Sequence, residues 1–207
     1  MGDFFAYAAR GTRTLYRRKP FIPNSAYHVF NRRDDCTRIF RDDVDRQRFI
    51  DSMVRLWRRS LDPTIKPRAA DGVRLLAFAV LDNHFHLVLE QFNEDAMTDY
   101  MRGLMTSYVR KHNARHQTSG SLFDERYQAR PIESRAHLLR VIAYVHANPP
   151  NPHTSRWSSH AAFVHGERDN IGAVDWRHAL GYYGSRDGYL SSFAEQVEKR
   201  ERKRLAL

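Results

Sequence analysis

VRLLAFAVLDNHFHLVLEQF, residues 73–92, decides how this chain folds. Residues 73–81 are almost continuously apolar, as in a strand covered on both faces. Residues 85–92 form a second apolar run, and Asp82-Asn83 between the two is turn-forming. Two such runs across a short polar break read as an antiparallel hairpin. In the second strand a period of two puts His84 and His86 on one face and Phe85, Leu87 and Leu89 on the other. Both imidazoles are thereby offered to the same side of a sheet.

Working outward from the hairpin, AYHVFNR (residues 26–32) reads as an earlier strand. A helix follows over residues 42–59, with Asp42 or Asp43 as its N-cap and Phe49, Met53 and Leu56 as its apolar stripe. LDPTIKPRAADG is a loop by its prolines and glycine. Beyond the hairpin a second helix runs over about residues 97–114 and ends in RHQTSGS. RYQARPIE (residues 126–133) is a further strand, which Pro131 places at a sheet edge. A third helix over residues 135–147 stops at Asn148 because Pro149 and Pro150 follow. The order is β-α-β-β-α-β-α, an α+β layout around one small antiparallel sheet. The first two helices are expected on one face and the third on the other. Residues 1–20 read as a basic arm, residues 21–165 as the domain and residues 166–207 as a C-terminal extension. Past Pro152 irregular chain is expected until the charged helix EQVEKRERKR.

Lys and Arg number 34 against 24 Asp and Glu, a net charge of +10. Such an excess attracts polyanions, nucleic acid first among them. Only five of these cations are lysines, so a GC-rich coding sequence is the competing explanation. Cys36 is the lone cysteine, which excludes an internal disulfide and cysteine-rich zinc patterns and fits a reducing cytoplasm. The longest strongly apolar run, residues 75–81, is too short to span a bilayer, and the N-terminus lacks the layout of a signal peptide. The expectation is a cytoplasmic protein without a membrane partner.

His84 and His86 suit a divalent metal, because neutral imidazoles leave the ion its full charge for polarising a phosphate oxygen. A His-x-His pair on a strand also serves purely structural roles. The third helix supplies what the pair lacks. Tyr144 and Asn148 stand four residues apart, on one line beside the buried stripe of Leu138, Val141, Ile142 and Val145. The Asn oxygen is a hard ligand suited to Mg²⁺ or Mn²⁺. A tyrosine hydroxyl can attack a phosphodiester once a neighbour or metal helps remove its proton. The plain alternatives are a core-edge aromatic for Tyr144 and a helix C-cap for Asn148. Tyr108, with His112 at i+4 on the second helix, has the same geometry and is the rival nucleophile.

With these residues in view, LDNHFHLVLE resembles the HUH strand of insertion-sequence transposases, where two histidines flank a hydrophobic residue. AYVHANP resembles the tyrosine helix of the REP-associated tyrosine transposases, which act on palindromic repeats. YHVFNR, RIFRDDVDRQRF, GSLFDERYQARPI and RWSSHAAF follow the same family order, so the resemblance covers roughly residues 21–163. It implies a ferredoxin-like or RRM-like core of the HUH endonuclease type. It further implies His84, His86 and Asn148 as ligands of Mg²⁺ or Mn²⁺, and Tyr144 as the nucleophile. The substrate would be single-stranded or hairpin DNA, cut to a 5′-phosphotyrosine and a free 3′-OH that can be rejoined without ATP. The protein would work as a monomer or homodimer.

Arg17, Arg18 and Lys19, Arg110 and Lys111, and Arg126 and Arg130 are candidate phosphate contacts, or else a solvated basic surface. Trp157 is expected to anchor the tail rather than stack on a base, and EKRERKR to be a solvated end. Two other classes remain: a non-catalytic nucleic-acid-binding regulator on the same sheet, and a histidine-rich metalloenzyme acting on small molecules. The +10 charge speaks against the last.

Overall fold

The computed structural model describes residues 21–32, 38–60, 72–123, 125–166 and 174–206. The strands are β1 (Ser25–Arg32), β2 (Val73–Val80), β3 (His84–Gln91) and β4 (Gln128–Pro131). Between and after them come α1 (Asp43–Ser60), α2 (Ala96–His116) and α3 (Arg135–His146). The sheet is antiparallel throughout, in the order β2-β3-β1-β4. This is the ferredoxin-like arrangement expected from the order of elements. β4 is half as long as expected and lies at the edge, pairing with β1 alone, where Pro131 costs no ladder bond.

Asp42 caps α1, its side chain accepting from the Asp45 N–H, while Asp45 accepts from the Arg41 N–H. The stripe of α1 buries Phe49 and Met53. Phe49 meets Phe85 at 4.9 Å between ring centroids, and Phe40 and Tyr108 close the cluster. The Phe85 face of β3 therefore belongs to α1 and α2.

β2 departs from strict alternation. Its register against β3 slips between Leu75 and Ala77, so Leu76 is an extra residue. Leu75 and Phe78 thus both oppose the α1–α2 face of β3, at Leu89 and Leu87. Ala77 and Ala79 oppose Val88 and His86 on the other face. These small residues leave room for α3, which packs there and buries Leu138, Ile142 and Val145. His84 and His86 consequently share a layer with α3 and are separated by the sheet from α1 and α2.

Beyond Pro152 the chain is more regular than its sequence suggests, with α4 (His160–His165), α5 (Trp176–Tyr183) and α6 (Arg186–Leu205). Two polar networks dock this part, and neither leaves an apolar periodicity to read. His146 bonds Tyr189 Oη at 2.8 Å and Ser159 Oγ at 2.7 Å, and His160 bonds the same Tyr189 hydroxyl. The buried Glu90 pairs with Arg74 at 3.0 Å and accepts from Tyr182 Oη at 2.6 Å. A buried carboxylate supplied with both partners is tolerated where an unpaired one would not be. Residues from the expected extension, Tyr189 and Phe193 among them, thus complete the core on the α3 side. Trp157 packs at its margin, as an anchor would.

Candidate active site

β3 delivers His84 and His86 to the mouth of a cavity of about 770 Å³. α3 brings Tyr144 and Asn148, one turn apart, to the same cavity. Its fixed N-terminus helps: Ser134 accepts from the His137 N–H, and Asn148 follows the last turn just before Pro149. Tyr144 is 38% exposed and its ring stands edge-on to His86 at 5.8 Å and to His28 at 6.0 Å. Asn148 is buried, its Nδ2 donating weakly to the Tyr144 carbonyl oxygen.

Hydrogen bonds decide what the imidazoles present. His84 Nδ1 lies 2.7 Å from Asn83 Oδ1, an acceptor only, so Nδ1 carries the proton and Nε2 keeps its lone pair. His86 Nδ1 pairs with His28 Nε2 at 2.9 Å. When His86 donates in that bond, its Nε2 is likewise free to act as a ligand. Burial, aided by Arg32 and Arg200, pushes the His84 pKa down to about 4. Burial, with Arg130 and His137, does the same to His28, also to about 4. Burial beside these imidazoles holds His86 well below the usual histidine range. All three rings are neutral at neutral pH, the state a metal ligand requires.

A scan against family models finds no match, and a search of curated proteins finds none either. Among solved structures, one described as a REP-associated tyrosine transposase bound to a REP hairpin superposes with a TM-score of 0.56 at 14% identity. The match covers 73% of this chain and 86% of that one. This chain has the fold of that transposase.

On the transposase fold the two candidate tyrosines sit very differently. Tyr108 is buried on the α1–α2 side, where its hydroxyl donates to the Ile39 carbonyl oxygen at 2.9 Å. Burial pushes its phenol pKa up. It is separated by the sheet from His84 and His86.

The cations divide in the same way. Arg130 on β4 lines the cavity, its guanidinium 5.2 Å from the centre of the Phe30 ring. Arg126 is exposed just before β4 and does not line the cavity. Arg110 and Lys111 lie on α2, across the sheet from the histidines, and Lys111 Nζ donates to Ser52 Oγ. Arg17, Arg18 and Lys19 lie outside the described residues. Among the described residues no helix is long and apolar enough to cross a membrane.

Two residues at this site escaped the sequence reading. His28 shares the alternation of AYHVFNR with Phe30, facing away from the buried Val29, and the register sets Phe30 opposite His86. Arg200 comes from α6, where it extends the line Tyr189, Phe193, Val197 and reaches into the cavity with Lys203 and Arg204. Its guanidinium donates to Asn148 Oδ1. It also lies close enough to Tyr144 to feel a charge on the phenol oxygen. The spacing 189, 193, 197, 200 was the available signal, hidden by the high charge of the segment.

Proposed function

We propose that this chain is a single-tyrosine DNA endonuclease and strand transferase of the HUH type, acting on single-stranded or hairpin DNA. The observation that carries the reading is the convergence of a half-exposed Tyr144 with His84, His86 and Asn148 on one cavity rimmed by arginines. The fold shared with a transposase supports it. So does the net charge of +10.

His84, His86 and Asn148 would hold the metal. Two neutral imidazoles and a carboxamide oxygen suit Mn²⁺ better than Mg²⁺, which prefers oxygen throughout. His84 leaves Nε2 free for the ion, and His86 does so when its Nδ1 donates to His28. The ion, when bound, supplies Lewis acidity toward a phosphate oxygen. The remaining chemistry belongs to the chain. Arg130 and Arg200 bind the strand's phosphates, and His28 fixes the orientation of His86. The Tyr144 oxygen attacks the scissile phosphorus, its proton passing to solvent at the open side of the cavity. The phosphorus–O3′ bond breaks, and the departing oxygen takes up a proton to become a 3′-OH. The 5′ end stays esterified to Tyr144. A 3′-OH from another strand can then attack this phosphotyrosine and release Tyr144. One phosphodiester is exchanged for another, so no ATP is needed.

The test is a hairpin oligonucleotide labelled at its 3′ end, incubated with the protein and Mg²⁺ or Mn²⁺ and run on a denaturing gel. The labelled strand should migrate covalently with the protein. Tight binding without an adduct under either metal would favour a non-catalytic regulator. Labelled product released without an adduct would point to hydrolysis by water.

A further inference from the structure

Asp45, His112 and His116 come together on the side of the sheet away from the cavity, where α1 begins and α2 ends. One ligand-capable atom from each lies within 4.8 Å of the others. His112 and His116 are one helical turn apart, their rings 4.4 Å between centroids. His116 Nε2 lies 2.9 Å from Asp45 Oδ2.

His112 is the telling member. It is 2% exposed, and among the described residues neither ring nitrogen makes a well-formed hydrogen bond, the adjacent Asn113 amide lending only weak polar support. A buried imidazole with both nitrogens unsatisfied is costly and rarely kept without a reason. Its neighbours are the carboxylate of Asp45, the ring of His116 and the ring of Tyr108. Charge points the same way. Asp42 and Asp45 both pair with the guanidinium of Arg115, so two carboxylates stand beside the imidazoles, with Arg41 a more distant cation.

We propose that Asp45, His112 and His116 form a second metal site, structural in role, for a divalent cation of the zinc class. Two imidazole nitrogens and one carboxylate oxygen are a donor set that zinc accepts in tetrahedral geometry, with water as the fourth ligand. Mg²⁺ and Ca²⁺, which prefer oxygen throughout, are poorly served by it. The ion takes over the Asp45–His116 hydrogen bond, satisfies His112, and clips the first turn of α1 to the last turn of α2. It plays no part in the cavity chemistry.

The experiment uses full-length protein stripped with a chelator and titrated with Zn²⁺, with bound metal measured by elemental analysis and the melting temperature by calorimetry. A His84→Ala/His86→Ala variant removes the cavity ligands. It should retain one zinc per chain and a rise in melting temperature on zinc addition. Adding His116→Gln or His112→Gln should bring bound zinc to background and abolish the rise. His116 is partly exposed, so His116→Gln is the gentler change, and far-UV circular dichroism confirms its fold. Co²⁺ on the His84→Ala/His86→Ala protein gives an independent reading: visible bands of tetrahedral cobalt should appear, and adding His116→Gln should remove them. Loss of all stoichiometric zinc in His84→Ala/His86→Ala, or its full retention in both His112→Gln and His116→Gln, overturns the proposal.

Discussion

Arg200 donates to Asn148 Oδ1, so the oxygen that would complete a metal site is covered by a guanidinium from the last helix. The pairing joins the two ends of the α3-side layer. It places a cation where a divalent metal and a phosphate would both arrive. A guanidinium so placed can hand Asn148 to the metal and turn to the incoming phosphate. Arg200→Gln should therefore lower the cleavage rate on the order of a hundredfold, the usual cost of losing one donor to a reacting phosphate. Affinity for Mn²⁺ should hold or improve. Single-turnover cleavage and metal titration separate the two effects, and a parallel loss of metal affinity would count against the exchange.

Tyr144→Phe and Tyr108→Phe should fail in opposite ways. Tyr144 is partly exposed, so its hydroxyl contributes little to stability, and the variant should fold normally while forming no covalent adduct. Tyr108→Phe should keep adduct formation. It should also lose roughly 1–3 kcal/mol of stability, because the Ile39 carbonyl is left without its buried donor. Denaturant melts and the adduct gel together read both. An adduct surviving in Tyr144→Phe would remove the proposed nucleophile.

DNA affinity should depend on the cations at the cavity rather than on those of α2. On single strands the log–log slope of affinity against salt falls by about 0.7 for each phosphate contact removed. Arg130→Ala should flatten the slope by about that amount. Arg110→Ala with Lys111→Ala should leave it nearly unchanged, since both stand across the sheet. Fluorescence anisotropy over a salt series distinguishes them, and equal slopes for all three proteins would speak against a cavity-side path for DNA.

Acid should destabilise the fold through its buried imidazoles, those that dock the C-terminal helices among them. Burial holds the His146 pKa well below the usual range and pushes His160 down to about 4. In the unfolded chain each titrates near 6.5. Above that pH both states are neutral and stability is full. Between about 6.5 and 4 the unfolded state binds the protons and the folded state does not, so stability falls as pH falls through that window. Chemical denaturation at pH 7.5, 6 and 5 should show the decline, and His160→Gln should reduce it. A flat profile would mean that the Tyr189 network is open to water.

The hairpin of residues 73–92 and the facing of His84 and His86 were legible in sequence, because strand alternation and helical spacing are local rules. The same holds for Tyr144 and Asn148, four residues apart where α3 ends. Beyond Pro152 the closing charged helix was legible, but the two helices before it and the way all three dock were not. They are held by buried polar contacts, His146 with Tyr189 and Glu90 with Arg74 and Tyr182, between residues far apart in sequence. Such pairs leave no periodic trace. The continuous apolar run of residues 73–81 does not show which residue faces which side, and a bulge at Leu76 that only pairing reveals sets the faces of β2. Tyr108 and Tyr144 look alike as a tyrosine with a ligand-capable residue at i+4. Which of them meets the histidines depends on which side of the sheet each helix packs, an expectation that came from the order of elements and not from the local spacing. The arrival of Arg200 at Asn148 is a decision of the same kind, made when α6 docks across α3 and carries its charged end over the cavity.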